Sequence, residues 1–345
     1  MRLLVWGAGA IGGTVGAYAA RAGHDVVLVD AAADHVDAIR TDGLIIEGPI
    51  ETLTVRLPTF TPDTLEGRFQ HVLLAVKAQA TGPAVGQLEP HLAEDGYVVS
   101  LQNGLNERLI VDRVGVVRTV GAFVNFGADV VGPGRIHYGG RGAFVLGELD
   151  GRRSERVSEL ADVLASFDPG IEVSENVWGY LWGKMGYAAM LSAGALSNAS
   201  IAESLEAVDA RPIFATLAGE VLRVARAEGV TAMGFNGFDP VAFGPNGDEA
   251  ARRSSFDAMT EHNRRSAKTH SGVWRDLAVR KRRTEVSAQF DPIFEAAVRH
   301  GIDLPVTSRM AALMQEVENG RREQSWSTLL ALGDAMPTFH DSDKE

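Results

Sequence analysis

Five groups of residues have the types and spacing that chemistry needs. Gly7-Ala8-Gly9-Ala10-Ile11-Gly12 reads G-x-G-x-x-G. It follows an apolar run, Arg2–Trp6, and opens an Ala- and Gly-rich stretch, Ile11–Ala22, whose pattern predicts a helix. In that context the first glycine makes a tight turn. The second lets the backbone approach a pyrophosphate, and the third lets helix and strand pack closely. The helix start adds free N–H groups and a positive dipole end for the phosphate. Asp30 ends the next apolar run, Asp25–Val29. An acid there accepts hydrogen bonds from the adenosine ribose hydroxyls and repels a 2′-phosphate. Ala31-Ala32-Ala33 follow, with no Lys or Arg. NAD(H) is therefore the favoured cofactor, with NADP(H) left open.

The other groups are single polar residues in apolar settings. Lys77 leaves the strand-like run His71–Val76, where an anion bound at the sheet edge would meet it; a surface lysine at a strand end reads equally well. Asn103, in Leu101-Gln102-Asn103-Gly104, can donate and accept, so it could orient a nicotinamide or a substrate oxygen. It also reads as a turn-forming Asn-Gly. Lys184 lies in Leu181-Trp182-Gly183-Lys184-Met185, on a helix that reads as largely buried. A desolvated lysine is a better proton donor near neutral pH, although long cations also snorkel. Glu285 ends a basic stretch, Arg282-Arg283-Thr284-Glu285-Val286, where an ion-pair role is the plain alternative.

The elements that must position these residues fall into two kinds. Up to about residue 150, strand-like runs alternate with helical patterns, which argues for a doubly wound, mainly parallel sheet. Leu44–Glu47 and Leu53–Leu57 read as a hairpin, and Val117–Val124, Arg135–Tyr138 and Ala143–Leu146 as further β segments. From Trp178 onward the pattern is helical, including one long stretch from about Glu249 to Gln289. The expected organisation is a dinucleotide-binding domain over 1–170, a helical substrate and catalytic domain over 171–335, and a tail at 336–345.

Composition narrows the function classes. There are 33 Lys and Arg against 45 Asp and Glu, a net charge of −12, which argues against a general nucleic-acid binder. Residues 251–283 run the other way, with ten Lys or Arg against three acids, a net of +7. That window reads as a solvated helix face or as a positive lining for an anionic ligand. The absence of cysteine removes disulfides, thiolate metal sites and Cys nucleophiles. The nine histidines show no paired ligand spacing, so no metal is expected. The apolar N-terminus reads as the first strand and its turn rather than as a signal peptide. The uncharged run Met185–Ile201 is diluted by Gly, Ser and Asn, so no membrane span is expected and the cytoplasm is the expected location.

These elements, in this order, resemble the ketopantoate reductase (2-dehydropantoate 2-reductase) family over nearly the whole chain. The segment Ser271-Gly272-Val273-Trp274-Arg275-Asp276 followed by Arg283-Thr284-Glu285 looks like the family's serine–aspartate–threonine–glutamate helix. Gly132-Pro133-Gly134 and Leu146-Gly147-Glu148 are also similar. The resemblance implies an α/β fold, an N-terminal Rossmann-type doubly wound sheet plus a C-terminal all-helical domain. It implies NAD(P)H-dependent reduction of 2-dehydropantoate to pantoate, a step of pantothenate biosynthesis. Lys184 becomes the proton donor, and Lys77 and Asn103 contact cofactor and substrate. Ser271 holds the acid end of a small anionic 2-oxo acid, and Glu285 positions cofactor ribose or the lysine. Ser192 joins the substrate-binding set. A homodimer is left open.

Two departures from the family pattern bear on the substrate. Where the family places asparagines four and eight residues after the lysine, this chain has Ala188 and Ser192. A different 2-oxo acid, or an imine, is therefore a standing alternative. The second departure is Asp30, since many members carry a basic residue just past this point for NADPH. A non-catalytic dinucleotide sensor is the reading from another class, although a sensor needs neither Lys184 nor Glu285.

Overall fold

A computed structural model describes residues 1–266 and 268–336, so the expected tail lies outside the described residues beyond Met336. The chain divides into two compact units, Met1–Leu181 and a second beginning at Trp182. The first has ten strands: β1 (Arg2–Trp6), β2 (Asp25–Val29), β3 (Leu44–Glu47), β4 (Leu53–Val55), β5 (Thr59–Phe60), β6 (Phe69–Leu74), β7 (Leu92–Ser100), β8 (Thr119–Gly132), β9 (Arg135–Glu148) and β10 (Glu172–Val173). They form one sheet in the order β4-β3-β9-β8-β7-β6-β1-β2-β5, with β10 beside β9.

From β5 through β2, β1, β6 and β7 to β8 the strands run parallel. The helices of this unit are α1 (Ala10–Arg21), α2 (Ala33–Asp42), α3 (Thr81–Leu88), α4 (Glu107–Val114) and α5 (Glu155–Leu164). Alternate residues of β1 go to opposite cores. Leu3 and Val5 pack with residues of α1, α2 and α5, whereas Leu4 and Trp6 pack with residues of α3 and α4. Both faces of the parallel part are thus covered, which is why its strands are continuously apolar. The far end is mixed: β9 runs antiparallel to β8 and β4 to β3, whereas β3 and β10 run parallel to β9. The separate β segments expected between 117 and 146 are two 14-residue strands of one hairpin, β8 and β9. Register shifts around Gly127 bulge the ladder without ending it, so the glycines there mark bulges rather than strand ends.

The second unit is helical. α6 (Val177–Gly194) contains the unit boundary and is followed by α7 (Ile201–Glu206), α8 (Arg211–Ala227), α9 (Glu249–Arg265), α10 (Gly272–Ala278), α11 (Val286–Arg299), α12 (Pro305–Glu318) and α13 (Trp326–Leu330). The single helix expected from Glu249 to Gln289 is therefore three. Ser271 starts α10 afresh by accepting the Trp274 N–H at 3.1 Å. Beyond α10, Arg280 and Arg282 both turn back onto Asp276, and Lys281 adopts φ 50°. The Arg280 N–H donates to Arg275 O at 2.9 Å and the Arg282 N–H to Asp276 O at 3.0 Å, spacings of five and six residues that end the helix. Among the described residues no helix is long and apolar enough to cross a membrane.

Candidate active site

The glycine turn stands at the C-terminal end of β1. There the sheet grows one way through β2 and the other through β6, and open α/β sheets bind ligands at such a switch point. Each glycine has a distinct reason to be there. Gly7 has φ +101°, and a Cβ on it would lie 2.8 Å from Ala75 C and Val76 N. A Cβ on Gly12 would lie 2.1 Å from Gly7 O. A Cβ on Gly9 would meet nothing within 4 Å. The outer glycines are required by the protein's own packing. The middle one keeps clear a space bordered by backbone. Gly9 caps α1 with no side-chain bond, so first-turn N–H groups remain available to an anion. A dinucleotide pyrophosphate fits this cradle. Asp30 sits just past β2, and its Oδ1 accepts the Ala32 N–H at 2.9 Å, which fixes the carboxylate in a local turn.

The loops after β6 and β7 carry Lys77 and Asn103, and a buried polar network ties them together. Gln102 Nε2 donates to Val76 O at 2.9 Å and to Thr81 Oγ1 at 2.7 Å. The Thr81 hydroxyl proton has Ala78 O at 2.8 Å and Asn106 Oδ1 at 3.0 Å as acceptors. Asn106 Nδ2 in turn donates to Asn103 O at 2.6 Å. Both ends of the network therefore hold backbone beside a candidate residue. Lys77 is half-buried and Asn103 exposed. Nothing in the sequence marks Gln102, Thr81 and Asn106 for this network, because a polar residue near a turn gives no sign that it will be buried.

His35 is equally unmarked in the sequence. This buried α2 side chain has Nε2 at 2.9 Å from Ala8 O, inside the glycine motif, and Nδ1 at 3.0 Å from Gly134 N, in the turn between β8 and β9. A lone histidine on a helix offers no sequence signal for such a contact.

In the second unit the candidate proton donor lies on α6. From Leu181 to Ser197 this stretch is buried except at Lys184, Ala188 and Leu191, which are half-buried. Spacings of four and three residues place them in one stripe. Trp182 is fully buried beside the lysine. Gly183 lets another segment cross closely, since a Cβ there would lie 2.1 Å from Met233 O. Tyr187 faces the buried side and accepts a hydrogen bond from Asn263 Nδ2 at 2.8 Å. Burial pushes its phenol up to about 12, so it keeps its proton near pH 7. Ala188 adds only a methyl to the stripe, and Ser192 is buried.

Ser271 is buried at the start of α10. Its oxygen accepts the Trp274 N–H, and its own proton remains available to donate. It lines a narrow pocket together with Met190 and Leu191 of α6. Glu285 does not line that pocket; it stands half-buried at the head of α11. Its neighbour Thr284 is pinned through N–H and hydroxyl to Glu318 Oε1, at 2.8 and 2.6 Å. The basic window is not a continuous positive lining. Arg264 pairs with Glu206 at 2.6 Å, Arg265 with Glu261 at 2.6 Å, and Arg280 and Arg282 with Asp276 at 3.0 and 2.8 Å. Among the described residues no cluster of three or more His, Asp or Glu could hold a metal ion.

Comparison with known proteins places both units in one family. The family described as Ketopantoate reductase PanE/ApbA matches residues 3–151, and its C-terminal part matches residues 176–318. The chain is 34% identical to a 2-dehydropantoate 2-reductase of Pyrococcus abyssi over 185 residues, 53% of this chain and 60% of that protein. The chain thus spans about 60% of that relative's length. It is 30% identical to a 2-dehydropantoate 2-reductase of Mesorhizobium japonicum over 256 residues, covering 67% of this chain and 77% of that one. Among solved structures, a family ketopantoate reductase from Ralstonia eutropha superposes with a TM-score of 0.77 at 27% identity, covering 93% of this chain and 99% of that one. D-mandelate dehydrogenase in complex with NADH and anilino(oxo)acetate has a TM-score of 0.79 at 20% identity with the same coverage, a likeness of fold.

Proposed function

The chain belongs to the ketopantoate reductase family, and from that premise we propose that it reduces 2-dehydropantoate to pantoate with a nicotinamide dinucleotide, NADH being favoured. The observation that carries the reading is Lys184, a cation on a half-buried stripe of the otherwise buried stretch Leu181–Ser197, in a chain that also holds a dinucleotide cradle. NADH or NADPH would supply the hydride that reaches C2 of the 2-oxo acid. Gly7, Ala8, Gly9, Ala10, Ile11 and Gly12 would hold its pyrophosphate through backbone N–H groups, and Asp30 its adenosine ribose. Lys77, Asn103 and Glu285 would orient nicotinamide, ribose and substrate.

Lys184 Nζ donates a proton to the C2 oxygen as the C=O π bond is replaced by a C–H bond, leaving neutral lysine and a 2-hydroxy acid. Its positive charge matters most when that oxygen is becoming an alkoxide, which lowers the barrier. The Ser271 hydroxyl donates to the substrate carboxylate and so fixes which face of the ketone is presented. Ser192 is an additional polar contact from α6.

Ala188 supports a second reading, in which the natural substrate is another 2-oxo acid or an imine. Steady-state kinetics with 2-dehydropantoate, a panel of 2-oxo acids, and both cofactors separates the readings. The expected result is turnover of 2-dehydropantoate with kcat/KM about tenfold or more higher for NADH, the size of a charge repulsion of about 1.4 kcal/mol. Background rates with 2-dehydropantoate but not with another 2-oxo acid would favour the second reading. Dinucleotide binding without turnover of any of them would make the protein a sensor.

A further inference from the structure

Lys77 and Asn103 follow neighbouring parallel strands, β6 and β7, and one buried hydroxyl ties their two loops together. Thr81 is 0% exposed. Its oxygen accepts a hydrogen bond from Gln102 Nε2 at 2.7 Å. Its one proton has two acceptors, Ala78 O at 2.8 Å and Asn106 Oδ1 at 3.0 Å. Ala78 directly follows Lys77, and Gln102 directly precedes Asn103. Asn106 reaches the Asn103 carbonyl itself, at 2.6 Å.

The carbonyls fix which way the amides face. Val76 O, at 2.9 Å from Gln102 Nε2, can only accept, so the Gln102 nitrogen must stand there. Gln102 Oε1 is then left to the Ser100 hydroxyl at 3.4 Å. Asn106 Nδ2 must likewise face Asn103 O, which turns its Oδ1 towards Thr81. No buried side-chain atom of Ser100, Thr81, Gln102 or Asn106 lacks a partner. A satisfied buried network holds one arrangement, because any shift strands a polar group away from water. Lys77 is thus flanked by two held carbonyls, Val76 O and Ala78 O, and Asn103 is held by its own.

Packing alone does not call for these residues. Apolar groups of the same shape would fill the space and need no partners. The network lies at the C-terminal ends of β6 and β7, the edge where open α/β sheets meet their ligands.

We propose that Thr81 is a positioning residue, whose hydroxyl sets Lys77 and Asn103 relative to one another so that both meet dinucleotide and substrate together. The proposal rests on the reductase reading above, which assigns those contacts to Lys77 and Asn103. Thr81 is buried and acts through them.

The test places Thr81→Val and Thr81→Ser in the wild-type chain and in the Lys77→Ala/Asn103→Ala chain. The readouts are NADH Kd by fluorescence titration, kcat/KM for 2-dehydropantoate, and thermal unfolding. In the wild-type chain, Thr81→Val keeps the shape but should weaken Kd and kcat/KM about tenfold, the effect of one lost hydrogen bond. Thr81→Ser keeps the hydroxyl and should restore most of both. In the Lys77→Ala/Asn103→Ala chain, Thr81→Val should change either by less than about twofold, since residues acting through one another are not additive. Its thermal midpoint should fall as far in one chain as in the other. Asn106→Ala breaks only the Asn103 branch and serves if Thr81→Val folds poorly. Its effect should vanish beside Asn103→Ala and persist beside Lys77→Ala. A Thr81→Val loss of equal size in both chains, or a lower midpoint with Kd and kcat/KM untouched, would overturn the positioning role and leave the reductase reading intact. Wild-type Kd and kcat/KM in the Lys77→Ala/Asn103→Ala chain would overturn the positioning role together with the contacts assigned to those two residues. Failure of the wild type to reduce any 2-oxo acid would overturn the reductase reading, and the Kd comparison would still decide the role of Thr81.

Discussion

The cradle of the first unit is built from backbone, and the lysine site of the second from side chains. In the cradle, Gly7 and Gly12 are required because a Cβ would strike Val76 N or Gly7 O, and Gly9 because it leaves backbone exposed. On α6 and at the start of α10, the groups that could act are the tips of Lys184, Ser192 and Ser271. A site of backbone tolerates almost no change of residue, since only glycine lacks the offending atom. A site of side chains can exchange members while its helices stay put. The chain keeps the full glycine motif yet carries Ala188 and Ser192 where its family resemblance leads one to expect asparagines.

The sharpest way to break this comparison is at its extremes. Lys184→Ala should lower kcat by about 10²–10⁴, the usual contribution of a positioned acid. Dinucleotide affinity, read by fluorescence titration, should stay unchanged, because the glycine cradle is in the other unit. Near wild-type turnover would remove Lys184 from the mechanism. Next in size are the two glycines. Gly12→Ala forces a backbone collision and should lose dinucleotide binding and stability together. Gly9→Ala adds its methyl to open space and should leave the thermal midpoint nearly unchanged. Its dinucleotide Kd should nonetheless rise about tenfold or more, since the methyl occupies the phosphate's approach. Equal loss of stability in both variants would show that the middle glycine is also structural.

The same contrast accounts for what could be read from sequence. The glycine motif between a strand and a helix was legible because sterics leave no other residue for it. So was the parallel half of the sheet, whose strands are apolar on both faces. The β8–β9 hairpin was read as fragments, because its glycines signal turns whether they end strands or bulge them. The Glu249–Gln289 stretch was read as one helix, because ten basic residues hide the fact that Asp276 gathers two of them into a turn. Within the helical unit, Lys184 stood out as a cation among Trp and Met. Gly183 carried a signal too, being a glycine inside a helix.

His35 offers the finest test, because it is the place where a side chain supports the backbone-built cradle. A backbone N–H can only donate, so the Gly134 N–H must donate to Nδ1, which is therefore unprotonated. The ring proton then lies on Nε2 and is donated to Ala8 O. The neutral ring in that one tautomer joins the middle of the glycine motif to the turn between β8 and β9. His35→Ala would strand both backbone groups in a buried site, and each lost partner costs about 1–3 kcal/mol. The expected outcome is a lower thermal midpoint and an approximately tenfold weaker dinucleotide Kd, with kcat at saturating cofactor little changed. His35→Gln carries an acceptor and a donor on one side chain and should recover part of the affinity. If His35→Ala lowers stability but leaves Kd untouched, the histidine serves folding alone. The cradle would then hold its shape by backbone sterics without help from any side chain.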